Sequence, residues 1–182
     1  MGRALPKAVV LVDGYNVIGA WTSLQKTLAR HGLQAAREQL VEVLTNYSAW
    51  QGFETLLVFD AHYQNTPKTR EVVTENLSVH YTEFGQKADS YIEITCAKFR
   101  DDVRKYRQRI IVVTSDQVQQ VTVVGYGAEC ISATQLASEV ASMTSRVGQH
   151  QLPAKKSSSR FMVKSLDPST QARLAQLRMG LK

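Results

Sequence analysis

The chain has 182 residues, of which 43% are hydrophobic and 21% charged. One ordinary globular domain accommodates that length without disulfide staples, and the composition excludes wholesale disorder. The formal net charge of +6 points to an anionic partner.

Met1 to Lys7 contains no apolar core of the signal-peptide kind, so no such leader is expected. Ala8 to Val12 is a continuous apolar run with β-branched residues and reads as a buried strand of a parallel sheet. Leu33 to Trp50 places Ala36, Leu40, Leu44 and Tyr47 at helical spacing between Gly32 and Gly52. Thr55 to Phe59 is a second apolar strand, and Leu77 to Tyr81 alternates like a more exposed one. Ala88 to Tyr106 carries Ala88, Ile92, Thr95, Phe99, Val103 and Tyr106 on one helical stripe. Ile110 to Val113 is a further strand, Gln117 to Val124 a short helix ending at Gly125, and Ser132 to Val147 another helix. Strands alternating with helices predict an α/β fold, a parallel sheet with helices on both faces.

The texture then changes. Gln149 to Arg160 holds Pro153, Lys155, Lys156 and three serines, and reads as a linker. Asp167-Pro168 is a helix start, followed by a basic amphipathic segment with Leu174, Leu177 and Leu181 on one side. The expected organisation is therefore a domain over residues 1–148 and a basic tail over 149–182. Charge follows that division: Met1–Ser145 carries 14 Lys and Arg against 15 Asp and Glu, net −1, and Arg146–Lys182 carries net +7.

Other classes fall away. No apolar stretch approaches the roughly 18 residues of a membrane span. Cys96 and Cys130 have no metal-like spacing and suit reduced thiols of a cytosolic protein. A P-loop, a G-x-G-x-x-G turn after the first strand and a G-x-S-x-G elbow are all missing. Tyr15 stands where an Asp-x-Asp phosphohydrolase would have its second acid.

Three strands deliver an acid to the same rim. Asp13 follows the first strand, Asp60 the second apolar strand, and Asp116 follows Ile110–Val113 after Thr114 and Ser115. In an open parallel sheet, ligands bind beyond the carboxyl ends of the strands. Asp89 and Glu93 share one face at the start of the long helix. Gathered carboxylates repel, and a bound cation is the usual compensation. Oxygen ligands suit Mg²⁺ or Mn²⁺, ions used at phosphoryl centres. Each acid also has a purely structural reading: an Asx turn at Asp13, a strand-end turn at Asp60, a capping box from Asp116 to Gln119, and dipole complementarity at Asp89.

At these residues the chain resembles a family. Val12-Asp13-Gly14-Tyr15-Asn16, Val58-Phe59-Asp60-Ala61-His62, Lys87-Ala88-Asp89-Ser90-Tyr91-Ile92-Glu93 and Val113-Thr114-Ser115-Asp116 are similar to the motifs of YacP-type NYN domains. Leu166-Asp167-Pro168 and Leu174 to Gly180 resemble the C-terminal end of that family, so the likeness covers nearly the whole chain. The family belongs to the PIN-like nucleases. The resemblance implies an α/β/α sandwich with a central parallel sheet, and divalent-metal-dependent cleavage of RNA phosphodiesters. It implies metal ligation by Asp13, Asp89 and Asp116, with Asn16 and Asp60 supporting. It also implies mRNA as substrate, with the translating ribosome as a partner. Lys87 departs from the Thr expected before Ala-Asp.

The expected chemistry is hydrolysis that leaves a 5′ phosphate and a 3′ hydroxyl, with Ser115 and Asn16 positioning water or a non-bridging oxygen. For holding RNA, the candidates are Lys87 beside the site and Lys155, Lys156, Arg160, Lys164, Arg173 and Arg178 in the tail. Tyr15, Trp21, His62 and Tyr63 are each readable as base-stacking or as structural residues. Arg100, Arg104 and Arg107 read as a solvated face balanced by Asp101 and Asp102. Two other functions stay open at this stage: a non-catalytic RNA- or ribosome-binding module on the same fold, and a phosphohydrolase of small phosphates.

Overall fold

The computed structural model describes residues 6–61 and 69–151, the last three by their backbone alone. Its six strands are β1 (Ala8–Asp13), β2 (Glu54–Phe59), β3 (Thr69–Val72), β4 (Leu77–Tyr81), β5 (Arg109–Val113) and β6 (Glu129–Ile131). They lie in the order β3-β4-β2-β1-β5-β6. Every pairing is parallel except β3 with β4, so the expected parallel sheet gains one antiparallel edge. β1 sits centrally, with Val12 opposite Leu57 on one side and Val113 on the other.

The helices are α1 (Gly14–Ala20), α2 (Thr22–Gln51), α3 (Ala88–Arg100), α4 (Gln117–Gly125) and α5 (Ala133–Gln151). One face of the sheet presents Val9, Leu11, Leu56, Val58, Ile110 and Val112 to Ala88, Ile92, Cys96 and Phe99 of α3 and Val123 of α4. The alternate residues Val10, Val12, Leu57 and Phe59 are also buried, because a strand points successive side chains to opposite faces. α2 packs against β2 and β4 and buries Leu24, Ala36, Leu40, Leu44 and Tyr47. Covering both faces explains why the central strands read as unbroken apolar runs. β4 is more buried than its alternation suggests: Leu77, Val79 and His80 are all enclosed, with β3 covering its outer edge.

The α1 helix is not expected from the sequence, and the bounds of α2 and α3 differ from the sequence reading. α2 starts at Thr22 rather than Leu33, and Gly32 (φ 84°, ψ 177°) breaks it into two helical stretches. The long stripe from Ala88 stops at Arg100; a short 3-10 helix, Val103–Tyr106, follows. Asp102 is the cause, since its carboxylate accepts the Arg104 N–H at 2.8 Å and offers the backbone an alternative to helix. β3 and β6 were not legible. β3 is exposed throughout and has no apolar pattern, and β6 has three residues.

The compact body ends at Met143, and the last turns of α5 belong to the segment Thr144–Lys182. α5 continues to Gln151, so the segment read as a linker from Gln149 begins as helix. The rest of that linker and the amphipathic tail helix lie outside the described residues. No helix among the described residues is long and apolar enough to cross a membrane.

Candidate active site

Asp13 is the last residue of β1 and the N-cap of α1, and its Oδ1 accepts the Asn16 N–H at 3.0 Å. The turn between strand and helix is tight because Phe59 lies against Gly14. A Cβ on Gly14 would stand 2.2 Å from the Phe59 ring. Only glycine fits there, which gives the residue after Asp13 a packing cause. Asp60 follows β2, and its Oδ1 accepts the N–H of Ala88, the first residue of α3. That bond ties the β2 terminus to the start of the helix that carries Asp89. Asp116 caps α4 by accepting from Val118 N at 2.8 Å and Gln119 N at 3.2 Å. Asn16 Oδ1 accepts the Ser115 N–H at 2.9 Å and so links α1 to the β5–α4 turn.

All four acids therefore reach the carboxyl rim, and their charges act on one another. Burial pushes the Asp13 carboxyl up to about 6; the Asn16 N–H opposes this, and the charges of Asp89 and Asp60 add to it. The Asp89 carboxyl is also raised, first by burial and then by the charge of Asp116, with Lys87 pulling it down. Asp13 and Asp89 also face one another, and that contact raises Asp13 and lowers Asp89. Half-buried acids whose neighbours' charges push their carboxyls up mark a place where positive charge is needed.

That pair fits a hard divalent cation. Mg²⁺ commonly takes one or two carboxylates and fills its remaining positions with water and substrate phosphate. Among the described residues, no three of His, Cys, Asp and Glu converge closely enough to enclose an ion. Asp60 and Asp116 explain this in part, since each has an oxygen committed to helix N–H groups. Capping and electrostatic roles thus coincide in the same side chains, but the capping box expected from Asp116 to Gln119 is only half made: Asp116 N donates to Thr114 Oγ1 at 3.1 Å, and the Gln119 side chain makes no return bond. Glu93 is half-buried one turn beyond Asp89; the Cys96 thiol is raised first by burial, and the Glu93 charge adds to it.

The other candidates separate clearly. Lys87 is exposed at the N-cap of α3 and its charge reaches Asp89. Ser115 Oγ accepts the Ala133 N–H at 3.2 Å, which anchors the start of α5. Trp21 is a core residue, 7% exposed, with Nε1 donating to Ala133 O at 2.6 Å. Arg100 and Arg104 pair with Asp101 and Asp102, as expected of a solvated face. His62, Tyr63, Lys155, Lys156, Arg160, Lys164, Arg173 and Arg178 lie outside the described residues.

Arg37 was missed by sequence reasoning. It is 6% exposed and donates from Nη2 to the Tyr15 hydroxyl. Its guanidinium lies 5.4, 5.5 and 5.9 Å from the ring centres of Tyr15, Phe59 and Tyr81. The available signal was position, because Arg37, Leu40 and Leu44 fall on one helical stripe and put a cation on the buried face. Arg37 thereby holds Tyr15, two residues after Asp13, in a cation–π cluster.

Comparison with known proteins identifies the family. The model of the YacP-like NYN domain matches residues 10–179. The chain belongs to that family. Its fold and superfamily are accordingly those of the PIN-like nucleases. A protein of Bacillus subtilis (strain 168) described as "Uncharacterized protein YacP" is 32% identical over 139 residues, 76% of this chain and 78% of that protein. A crystal structure of a mutant of Rae1 (YacP) from Bacillus subtilis matches with a TM-score of 0.67 at 27% identity, covering 93% of this chain and 99% of that one. A second crystal structure of Rae1 (YacP) gives 0.63 at 27% identity, covering 94% and 95%.

Proposed function

We propose that this NYN-domain protein is a divalent-metal-dependent endoribonuclease that hydrolyses RNA phosphodiester bonds. The observation that carries the reading is the half-buried Asp13–Asp89 pair, with Asp13 raised to about 6 and the charges of Asp60 and Asp116 acting on the pair. A site built only to bind phosphate gains nothing from gathered carboxylates. Asp13, Asp89 and Asp116 would hold Mg²⁺ or Mn²⁺. When bound, such an ion neutralises charge at phosphorus and makes water a nucleophile at neutral pH.

The chain's own residues do the positioning. Asp60 holds the first N–H of α3 and so sets where Asp89 stands. Asn16 fixes the β5–α4 turn through Ser115 N, which places Asp116. Lys87 offers an exposed ammonium for a phosphate next to the reacting one. The products are a 5′ phosphate and a 3′ hydroxyl. The substrate we infer is mRNA in the cytoplasm, including mRNA on ribosomes. The net charge of +7 over Arg146–Lys182 supports capture of RNA by Lys155, Lys156, Arg160, Lys164, Arg173 and Arg178.

The test is cleavage of a labelled mRNA, free and on ribosomes, with Mn²⁺, with chelator, and with Asp13→Asn. Cleavage that requires the metal and Asp13 supports the reading; cleavage that survives both chelator and substitution refutes it. One observation favours a second reading, a non-catalytic RNA-binding module: no three ligands converge among the described residues. Thermal unfolding separates the two. Stabilisation by Mn²⁺ that disappears in Asp13→Asn is expected of the enzyme, and no response to Mn²⁺ of the binding module.

A further inference from the structure

The loop from β4 into α3 makes an unusual presentation. Phe84 stands at its tip with 78% of its surface exposed, and Lys87 is exposed three residues later. This is a braced turn. Gln86 N donates to Glu83 O at 2.9 Å across Phe84 and Gly85, and Gly85 takes φ 84°, the left-handed conformation such a turn needs from its second central residue. Thr82 secures the base: its hydroxyl accepts from Ala61 N at 3.1 Å and donates to Gln86 O at 2.7 Å. Thr82 N also donates to Phe59 O at 3.0 Å, extending the β2–β4 ladder.

The bracing connects Phe84 to the acid rim. Ala61 follows Asp60, and Asp60 holds Ala88 N at the far side of the loop. Phe84 precedes Asp89 by five residues, which limits their Cα separation to about 17 Å. A large ring is thus held in water by a rigid turn, on the rim where the acids gather, beside the exposed cation Lys87 on the same loop. Core packing does not account for it, since its neighbours in the chain supply the brace.

We infer that Phe84 is a stacking platform for one unpaired base of the RNA, a nucleotide or two from the phosphate at Asp13 and Asp89, with Lys87 on the intervening phosphate. The location of the scissile phosphate rests on the nuclease reading above; the platform itself does not. An aromatic face accepts any base and reads no sequence, so Phe84 contributes to affinity and register. It also selects against duplex, whose bases already stack on one another.

The experiment uses the full chain in chelator with single-stranded RNA oligonucleotides carrying 2-aminopurine at successive positions. The native chain and Phe84→Trp are expected to quench the fluorophore at one or two adjacent positions. Phe84→Leu is expected to lose that quenching and to bind about tenfold more weakly. Phe84→Leu removes no hydrogen bond of the turn, so its fold is retained, which circular dichroism checks. Quenching by Phe84→Leu equal to the native chain, loss in Phe84→Trp as large as in Phe84→Leu, or no quenching by the native chain at any position overturns the inference. Added Mn²⁺ then distinguishes the two readings. Quenching by the native chain with the RNA left intact keeps the platform and removes the nuclease.

Discussion

Asp102 and Asp13 are both helix caps, at opposite ends of the sheet, and their carboxyls move in opposite directions. Asp102 is partly exposed near the amino ends of the strands and accepts the Arg104 backbone N–H and the Arg104 guanidinium, which lower it. Asp13 also accepts a backbone N–H, yet burial and two neighbouring acids drive it up to about 6. Around Asp102, charges are balanced locally: Arg100 lies 3.7 Å from Asp101, and Arg109 lies 3.1 Å from Glu129 across a strand pair. Around Asp13, like charges come from four separate stretches of chain. A residue's capping role therefore says little about its electrostatic role. What distinguishes the rim is charge the fold holds against its own repulsion, a mark of sites that bind or react.

The comparison breaks if the two ends respond alike to substitution. The largest expected effect is on cleavage: Asp13→Asn lowers the rate of metal-dependent RNA cleavage by at least about a hundredfold. Asp102→Asn leaves that rate unchanged in the same gel assay. Equal losses would show that capping, and not the gathered charge, matters.

Stability moves the other way. A folded-state carboxyl raised from 3.8 to about 6 disfavours the fold once it ionises. The cost is absent below about pH 4, where Asp13 is protonated folded and unfolded alike. It grows as pH rises toward 6 and is complete above that. Asp13→Asn keeps a good N-cap and removes the buried charge. Without metal, it is expected to stabilise the chain at pH 7.5 by roughly 2 to 3 kcal/mol, with the difference gone at pH 4. Calorimetry across pH checks this, and a stabilisation that persists at pH 4 would contradict it.

A change of similar size and opposite sign is expected at Gly14. Gly14→Ala pushes a methyl group into the Phe59 ring and should cost about 1 to 3 kcal/mol in denaturant unfolding, because the ring is fully buried and has little room to yield. The smallest effect belongs to the paired end. Arg104→Ala changes stability by less than about 1 kcal/mol, as an exposed ion pair should. A larger change would mean that the solvated face carries structural weight.

Parts of this organisation were legible early. β1, β2 and β5 announce themselves as apolar runs because both of their faces are covered. α4 was legible from end to end, with Asp116 before it and Gly125 closing it. β3 was silent because solvent asks nothing of its side chains, and the Ala88 stripe overran its helix because apolar spacing does not register the cap at Asp102. At the site, Asp13, Asp60, Asp89 and Asp116 were legible from position alone, at strand ends and a helix start. Trp21 was ambiguous until its indole was seen bonded to Ala133, far along the chain. Arg37 and Phe84 were overlooked, since a cation in a helix and an aromatic in a turn look ordinary until burial is known.

The amino-acid order alone determined the alternation of strands and helices, the delivery of an acid to the ends of β1, β2 and β5 and the placement of the basic surplus in the tail. Those properties depend on near neighbours in the chain. Only the tertiary structure decided that Asp13 faces Asp89, that Arg37 is enclosed against Tyr15 and that Phe84 stands in solvent. Burial and Coulomb energy are set by distances between residues far apart in sequence, and the strand order β3-β4-β2-β1-β5-β6 is what brings those residues together.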